Sequence, residues 1–301
     1  MELDQQHYIP RNYIERFSQN KKIEVYDREL RKFLITNPKN IAKEKGYNCV
    51  KSKVVKEKCL NEYSLLYPEE KGRYKEVIED ELFLEKMLSR IESDAYRIFN
   101  LLINKNELIK NEEIQGKLLI FFHSMIYRNP AFEKSINYIK KTTKTQLEKL
   151  NIPINKMPKF IIQDTKEQQQ NELLGVGSLI NFSRQIYPYY DWYIGINNTK
   201  IDLIINDNPC MNFFLNANEI CFPINPRYAI ILLKKDGISF FTDDRPKNDN
   251  QIIMSEYAIK FSNATMVAHS KRYIMFNPRN KDIELWIKYL EDNNELIENN
   301  I

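Results

Sequence analysis

Two hydrophobic periods predict an α+β protein, with a helical N-terminal half that carries a short β-hairpin and an antiparallel-sheet C-terminal half with flanking helices. Apolar residues recur at helical spacing from residue 69 to about residue 150, and they alternate with polar ones after Pro188. Size and makeup are the third observation. At 301 residues, 43% of them apolar and 29% charged, the chain is long enough to bury a sizeable core. With 7 Gly and 4 Cys it fits neither a collagen-like nor a disulfide-dense class.

Pro10 suits the first turn of a helix, and Tyr13, Ile14 and Phe17 follow at helical spacing. Lys22–Tyr26 and Lys32–Ile35 flank the polar Asp27-Arg28-Glu29 and predict a hairpin. Residues 37–68 are polar and read as irregular, with one short helix after Pro38. From Glu69 the spacing of Ile78, Leu82, Leu88, Ile91, Ala95 and Ile98 predicts a long amphipathic helix ending near Asn104. A second helix is predicted over 112–126. Its stretch Leu118–Phe122 is apolar nearly all round, which marks it as buried. Pro130 interrupts it, and a further helix runs towards residue 150.

Residues 151–172 hold Pro153, Pro158 and a Gln168–Gln170 run, and they read as a loop and the start of a helix. That places a lobe boundary there, with a mainly helical lobe over 1–150 and a strand-rich lobe over 151–301, integrated in one domain. Strands are predicted at 191–196, 201–205, 219–222, 228–234 and 238–242, with Asn197-Asn198 and Asp236-Gly237 as hairpin turns. Helices over 251–268 and 282–296 close the chain.

Ile, Asn and Lys make up 104 of the 301 residues, a bias of A+T-rich codons that weakens any argument from lysine abundance. Residues 1–150 carry 29 Lys+Arg against 23 Asp+Glu, and residues 151–301 carry 16 against 18. A mildly basic first half permits phosphate contact without demanding it. The four cysteines show no CxxC spacing and no paired His, so they read as free thiols in a reducing cytoplasm. No signal core precedes them, and no window approaches 18 uninterrupted apolar residues. A cytoplasmic protein with no membrane partner is expected.

Five residues are candidates for chemistry. His7 stands immediately before the first helix, where it serves either as a general base or as a local hydrogen-bond partner. Glu85 and Glu92 are seven residues apart, hence on one helix face with their Cα atoms roughly 10 Å apart. Either they share an ion or they line a charged solvent face. Arg128 ends the apolar helix, where a cation suits the helix dipole or pairs with a carboxylate such as Glu92. Asp207 follows an apolar strand in Asn206-Asp207-Asn208-Pro209, as a strand-end carboxylate or as a turn. Cys210 beside it has no histidine near in sequence. GxGxxG, GxxxxGK and GxSxG are all absent, which argues against dinucleotide, P-loop and α/β-hydrolase chemistry.

The set His7-Tyr8-Ile9-Pro10 with Phe17, Glu85 with Glu92, Arg128-Asn129-Pro130, Trp192 with Asp207-Asn208-Pro209, and Phe222-Pro223-Ile224-Asn225-Pro226 resembles domain of unknown function 4238. The likeness spans nearly the whole chain in order. Asn206 stands where that family usually has a serine, and the helix near 255–268 lacks an asparagine expected at its start.

The residue types suggest a metal-assisted hydrolase that cleaves phosphodiesters in the manner of a nuclease. In that reading Asp207, Glu92 and Glu85 bind Mg²⁺ or Mn²⁺, His7 activates water, and Arg128 holds the phosphate of a nucleic acid. The alternative is a non-catalytic binding or interaction module whose polar cluster is a buried network.

Overall fold

The structure, a computed structural model, describes residues 5–73, 80, 82–210, 213, 217–237, 250–278 and 283–288. In chain order its elements begin with β1 (Gln5–His7), α1 (Arg11–Glu15), β2 (Ile23–Asp27), β3 (Lys32–Thr36) and β4 (Lys43–Lys45). The long helices come next: α2 (Lys53–Leu66), α3 (Phe83–Asn104), α4 (Glu112–Tyr127) and α5 (Pro130–Lys149). Three shorter ones follow, α6 (Lys159–Ile162), α7 (Thr165–Leu173) and α8 (Val176–Ile186). The rest is β5 (Tyr190–Ile196), β6 (Ile205–Asn206), β7 (Glu219–Asn225), β8 (Tyr228–Lys234), β9 (Gln251–Ile253), α9 (Glu256–His269) and β10 (Tyr273–Phe276), with a last helix over 283–288. The α+β class is as the sequence predicts.

The chain forms two compact units, each assembled from three stretches. The first takes residues 1–8, 44–94 and 119–185, and the second takes residues 9–43, 95–118 and 186–301.

In the first unit, α2 lies inside the segment expected to be irregular. Its lysines hide a stripe of Val55, Cys59 and Tyr63, spaced four residues apart and buried on one face. Ser52 supplies the N-cap by accepting from the Val55 amide at 3.4 Å. Glu62 reaches from α2 to accept the orphan amide of Val176 at 2.9 Å, where α8 begins. The helix predicted from Glu69 begins at Phe83: Pro68–Glu70 is a single 3-10 turn, 71–73 are turn residues, and 74–79 and 81 lie outside the described residues. Arg128-Asn129-Pro130 is a helix corner: Asn129 accepts from the Ala131 amide at 2.8 Å, and Pro130 opens α5.

The second unit holds two four-stranded sheets, in the orders β3-β2-β10-β6 and β7-β8-β5-β9. The predicted hairpin is β2–β3, paired antiparallel from Ile23↔Thr36 to Asp27↔Lys32. One pair departs from the antiparallel expectation, since β9 runs parallel to β5. That strand occupies residues read as the start of a helix, and α9 begins only after Ser255, which caps the Ala258 amide at 3.1 Å. Asn197-Asn198 is not a hairpin turn either. Asn197 bonds the carbonyls of Ile201 and Pro226, while β5 and β6 join different sheets. The predicted strand at 238–242 lies outside the described residues, as do residues 282 and 289–296 of the predicted last helix.

α9 serves both sheets of this unit. Ala258 and Ile259 pack with Tyr193, Ile231 and Leu233, whereas Met266 and Val267, eight residues on, pack with Tyr26, Ile274 and Phe276. Each such buried aliphatic chain contributes about 1.5–3 kcal/mol over its exposed state. Asn263, fully buried between the two sets, bonds the Ile204 amide at 3.1 Å and the Asp202 carbonyl at 2.8 Å.

Candidate functional site

Four of the five candidate residues belong to the first unit. Glu92 on α3 faces the end of α4, and Arg128 Nη1 donates to its Oε1 at 2.6 Å. The guanidinium side chain is 1% exposed and the carboxylate 18%. The rest of the Arg128 fork is poorly served, with Nη2 facing the Met125 thioether at 3.7 Å. Burial raises the proton affinity of Glu92 above the usual carboxylate range. Arg128 opposes that rise, and the negative charge of Glu85 adds to it.

Glu85 sits two turns earlier on the same helix, half-buried, and accepts from Asn48 Nδ2 at 2.7 Å. The Asn48 amide in turn donates to Gln6 Oε1 on β1, and Gln6 Nε2 approaches Cys49 Sγ at 3.6 Å. Gln170 closes this side by donating to the Cys49 carbonyl at 2.9 Å. A chain of polar contacts thus runs from Gln6 through Asn48 to Glu85, and the charge of Glu85 acts through space on the separate Glu92–Arg128 pair. His7 is half-buried in the same strand, directly after Gln6, with its Nε2 atom buried.

Glu85 also lines an open cleft of about 720 Å³ along α3, with Arg73, Lys86, Ser89, Arg90 and Ser93. Its cations are paired. Arg90 lies 3.4 Å from Glu70 and 3.7 Å from Asp94, Arg73 lies 3.3 Å from Glu70, and Lys86 lies 2.8 Å from Asp80. The cleft is a mixed-charge surface with the half-buried Glu85 in its lining.

Asp207 belongs to the second unit, and its carboxylate is fully engaged there. Oδ1 accepts from the Lys271 amide at 2.8 Å, and Oδ2 accepts from the Arg272 and Tyr273 amides at 2.8 and 3.1 Å. Burial pushes its pKa up while these amides pull the other way. Asn206 Nδ2 bonds the Met266 carbonyl at 2.7 Å, and its Oδ1 accepts from the Asn208 amide at 2.9 Å. The Asn-Asp-Asn run therefore shapes the entry to β10. Cys210 is buried.

Sequence reasoning anticipated the Glu92–Arg128 pairing. It missed Gln6 and Asn48, which lie 42 residues apart and share no spacing signal. Among the described residues no group of three or more His, Cys, Asp or Glu converges as a metal cage. Among them, too, no helix is long and apolar enough to cross a membrane.

A family model described as "Protein of unknown function (DUF4238)" matches residues 5–280. No curated protein and no solved structure matches the chain.

Proposed function

The chain belongs to the DUF4238 family, whose description carries no activity, and from the geometry we propose a cytoplasmic hydrolase that cleaves phosphodiesters at the Glu85–Glu92–Arg128 cluster. The observation that carries this reading is a half-buried glutamate with raised proton affinity, paired to a buried arginine and electrostatically coupled to a second glutamate on an open cleft. Perturbed carboxyls beside a cleft mark candidate sites on physical grounds.

Arg128 fixes and charges the environment of the Glu92 carboxylate from within the protein, its guanidinium being 1% exposed. Glu85 and Glu92 are hard oxygen donors that fit Mg²⁺ or Mn²⁺, ions often held by one or two carboxylates together with water and substrate phosphate. Glu85 and Glu92 would be the side chains that hold such an ion, which would supply Lewis-acid polarisation and a more acidic water. His7 receives the proton released by the attacking water. Asp207 is left out of the site, because its oxygens already hold three backbone amides.

The test incubates wild type and Glu92→Gln with Mg²⁺ or Mn²⁺ and single- or double-stranded DNA or RNA. Cleavage by wild type that Glu92→Gln abolishes supports the reading. Wild type inert on the whole panel, with no metal-dependent change in melting temperature, refutes it.

The 1% exposure of Arg128 favours a second reading, a binding module in which the same cluster is a sealed structural network. A loss of stability in Arg128→Ala, with no cleavage by wild type, would select it.

A further inference from the structure

Residues 134–162 hold seven lysines against one glutamate, a net of +6 in a chain whose total is +4. Everything outside this stretch sums to −2. The same stretch carries six of the 17 large apolar side chains that stand exposed among the described residues: Tyr138, Ile139, Leu150, Ile154, Phe160 and Ile162. Positive charge and exposed apolar surface are thus concentrated together, in the segment that runs from α5 through α6.

Local structure holds that segment in place. Lys140, its one buried lysine, donates to the Gln163 carbonyl at 2.8 Å and to Thr165 Oγ1 at 3.1 Å, tying the residues after α6 to α5. Ile161 is the buried residue of α6, and its neighbours Phe160 and Ile162 are left outside. Between the two helices the chain passes Pro153 and Pro158, with Leu150 at 71% and Ile154 at 55% exposure. Lys134, Lys141, Lys149, Lys156 and Lys159 are all exposed around these side chains.

We infer that residues 134–162 dock the protein on the surface of an anionic lipid bilayer, with the lysines at the headgroups and the apolar side chains in the boundary beneath. A nucleic acid would use the lysines but leave Ile139, Leu150, Ile154 and Ile162 hydrated, since aliphatic chains offer no face for base stacking. A second copy of the chain would set +6 against +6. A bilayer of anionic lipid satisfies both the charge and the apolar surface, and the tyrosine and phenylalanine suit its interface. The sequence predicts no membrane partner because no segment spans, and surface docking requires no span. This inference is independent of the hydrolase reading.

Co-sedimentation of the full chain with vesicles tests it, using phosphatidylcholine alone and phosphatidylcholine mixed in equal parts with phosphatidylglycerol. Wild type should partition onto the mixed vesicles and stay free of the neutral ones. Lys156→Glu combined with Lys159→Glu should weaken binding by about 25-fold or more, at about fivefold for each lysine lost. Leu150→Ser combined with Ile154→Ser should weaken it by about tenfold or more through lost apolar burial. Melting curves matching wild type would show that both variants fold, and Phe160→Ser provides a further apolar change. The inference is overturned if mixed vesicles bind no better than neutral ones, or if the apolar changes leave binding intact. Capture by a short DNA duplex with vesicles ignored also overturns it.

Discussion

Acidification from pH 7 to pH 4 should cost the fold about 3 kcal/mol through His123 alone. The ring is 2% exposed on α4, with Nε2 3.0 Å from Ser178 Oγ and the ring centroid 4.4 Å from that of Tyr127. Burial pulls its pKa down from 6.5 to about 4, against a smaller opposing effect from its bond to the Leu173 backbone. The unfolded chain takes up its proton near pH 6.5, so between the two values the unfolded state binds more protons and stability falls as pH falls. A gap of about 2.5 pH units, at about 1.4 kcal/mol each, gives about 3.5 kcal/mol well below pH 4, of which about 3 kcal/mol is lost between pH 7 and pH 4. Tyr127 stays protonated throughout, because burial raises its pKa. Glu92, Asp202 and Asp207 act in the opposite direction, since their raised pKa values favour the folded state as acid is added. The assay is therefore a difference: urea midpoints of wild type and of His123→Gln, which retains a polar group for Ser178, at pH 7, 6, 5 and 4. The gap between the two proteins should change by about 3 kcal/mol in favour of the variant across that range. Parallel curves would refute the reasoning and show that the folded protein accommodates a charged His123.

Arg128→Ala should destabilise the chain by about 3 kcal/mol, the low end for breaking a buried pair, because Glu92 retains some solvent and can take a proton. A urea melt should show this loss at pH 7 and a smaller one at pH 5, with part of it restored by adding Glu92→Gln; an unchanged midpoint would mean the pair contributes nothing. Asp207→Ala removes an acceptor from three amides and should cost several kcal/mol, at about 1.5–3 kcal/mol for a hydrogen bond to a charged group. Asp207→Asn should fall between, and a melt equal to wild type would contradict the capping role. Gly195→Ala on β5 would drive a Cβ into Ile231 Cδ1 and within 2.9 Å of Met254 Sδ, so thermal unfolding should report a loss of about 1–3 kcal/mol, and a neutral result would mean these two side chains give way freely.

Where one hydrophobic period dominated, the elements were legible. Leu118, Leu119, Phe121 and Phe122 are buried within α4 with Ile120 partly covered, and Tyr228–Lys234 is a central strand between β7 and β5. α2 was hidden because its buried face includes Lys56 beside Val55, and six of its fourteen residues are charged or amide-bearing. Such a helix is stabilised by burial of Val55, Cys59 and Tyr63, a stripe too narrow to stand out among its polar neighbours. β9 was misread for a related reason. Gln251-Ile252-Ile253 is too short to show a period, and only the open edge of β5, more than fifty residues earlier, makes it a strand.

The candidate site divides along the same line. Glu92 and Arg128 were readable as a pair because each ends or lines an apolar helix, so burial forces the two charges to find one another. Asp207 answered to the same outward description, a carboxylate at the end of an apolar strand, yet it satisfies amides on the loop before β10. What separates the two cases is the supply of nearby donors. The tight turn at 271–273 presents three backbone amides in succession, and these saturate one carboxylate. The end of α4 presents a single arginine fork, which binds one oxygen of Glu92 and leaves donors over. A carboxylate whose partners are backbone amides is fixed by the fold and closed to ligand. Glu92, whose one partner is a side chain, keeps an oxygen that no described amide holds, and Glu85 two turns away lines an open cleft. On that ground the proposed chemistry belongs to α3 rather than to the Asp-Asn-Pro turn.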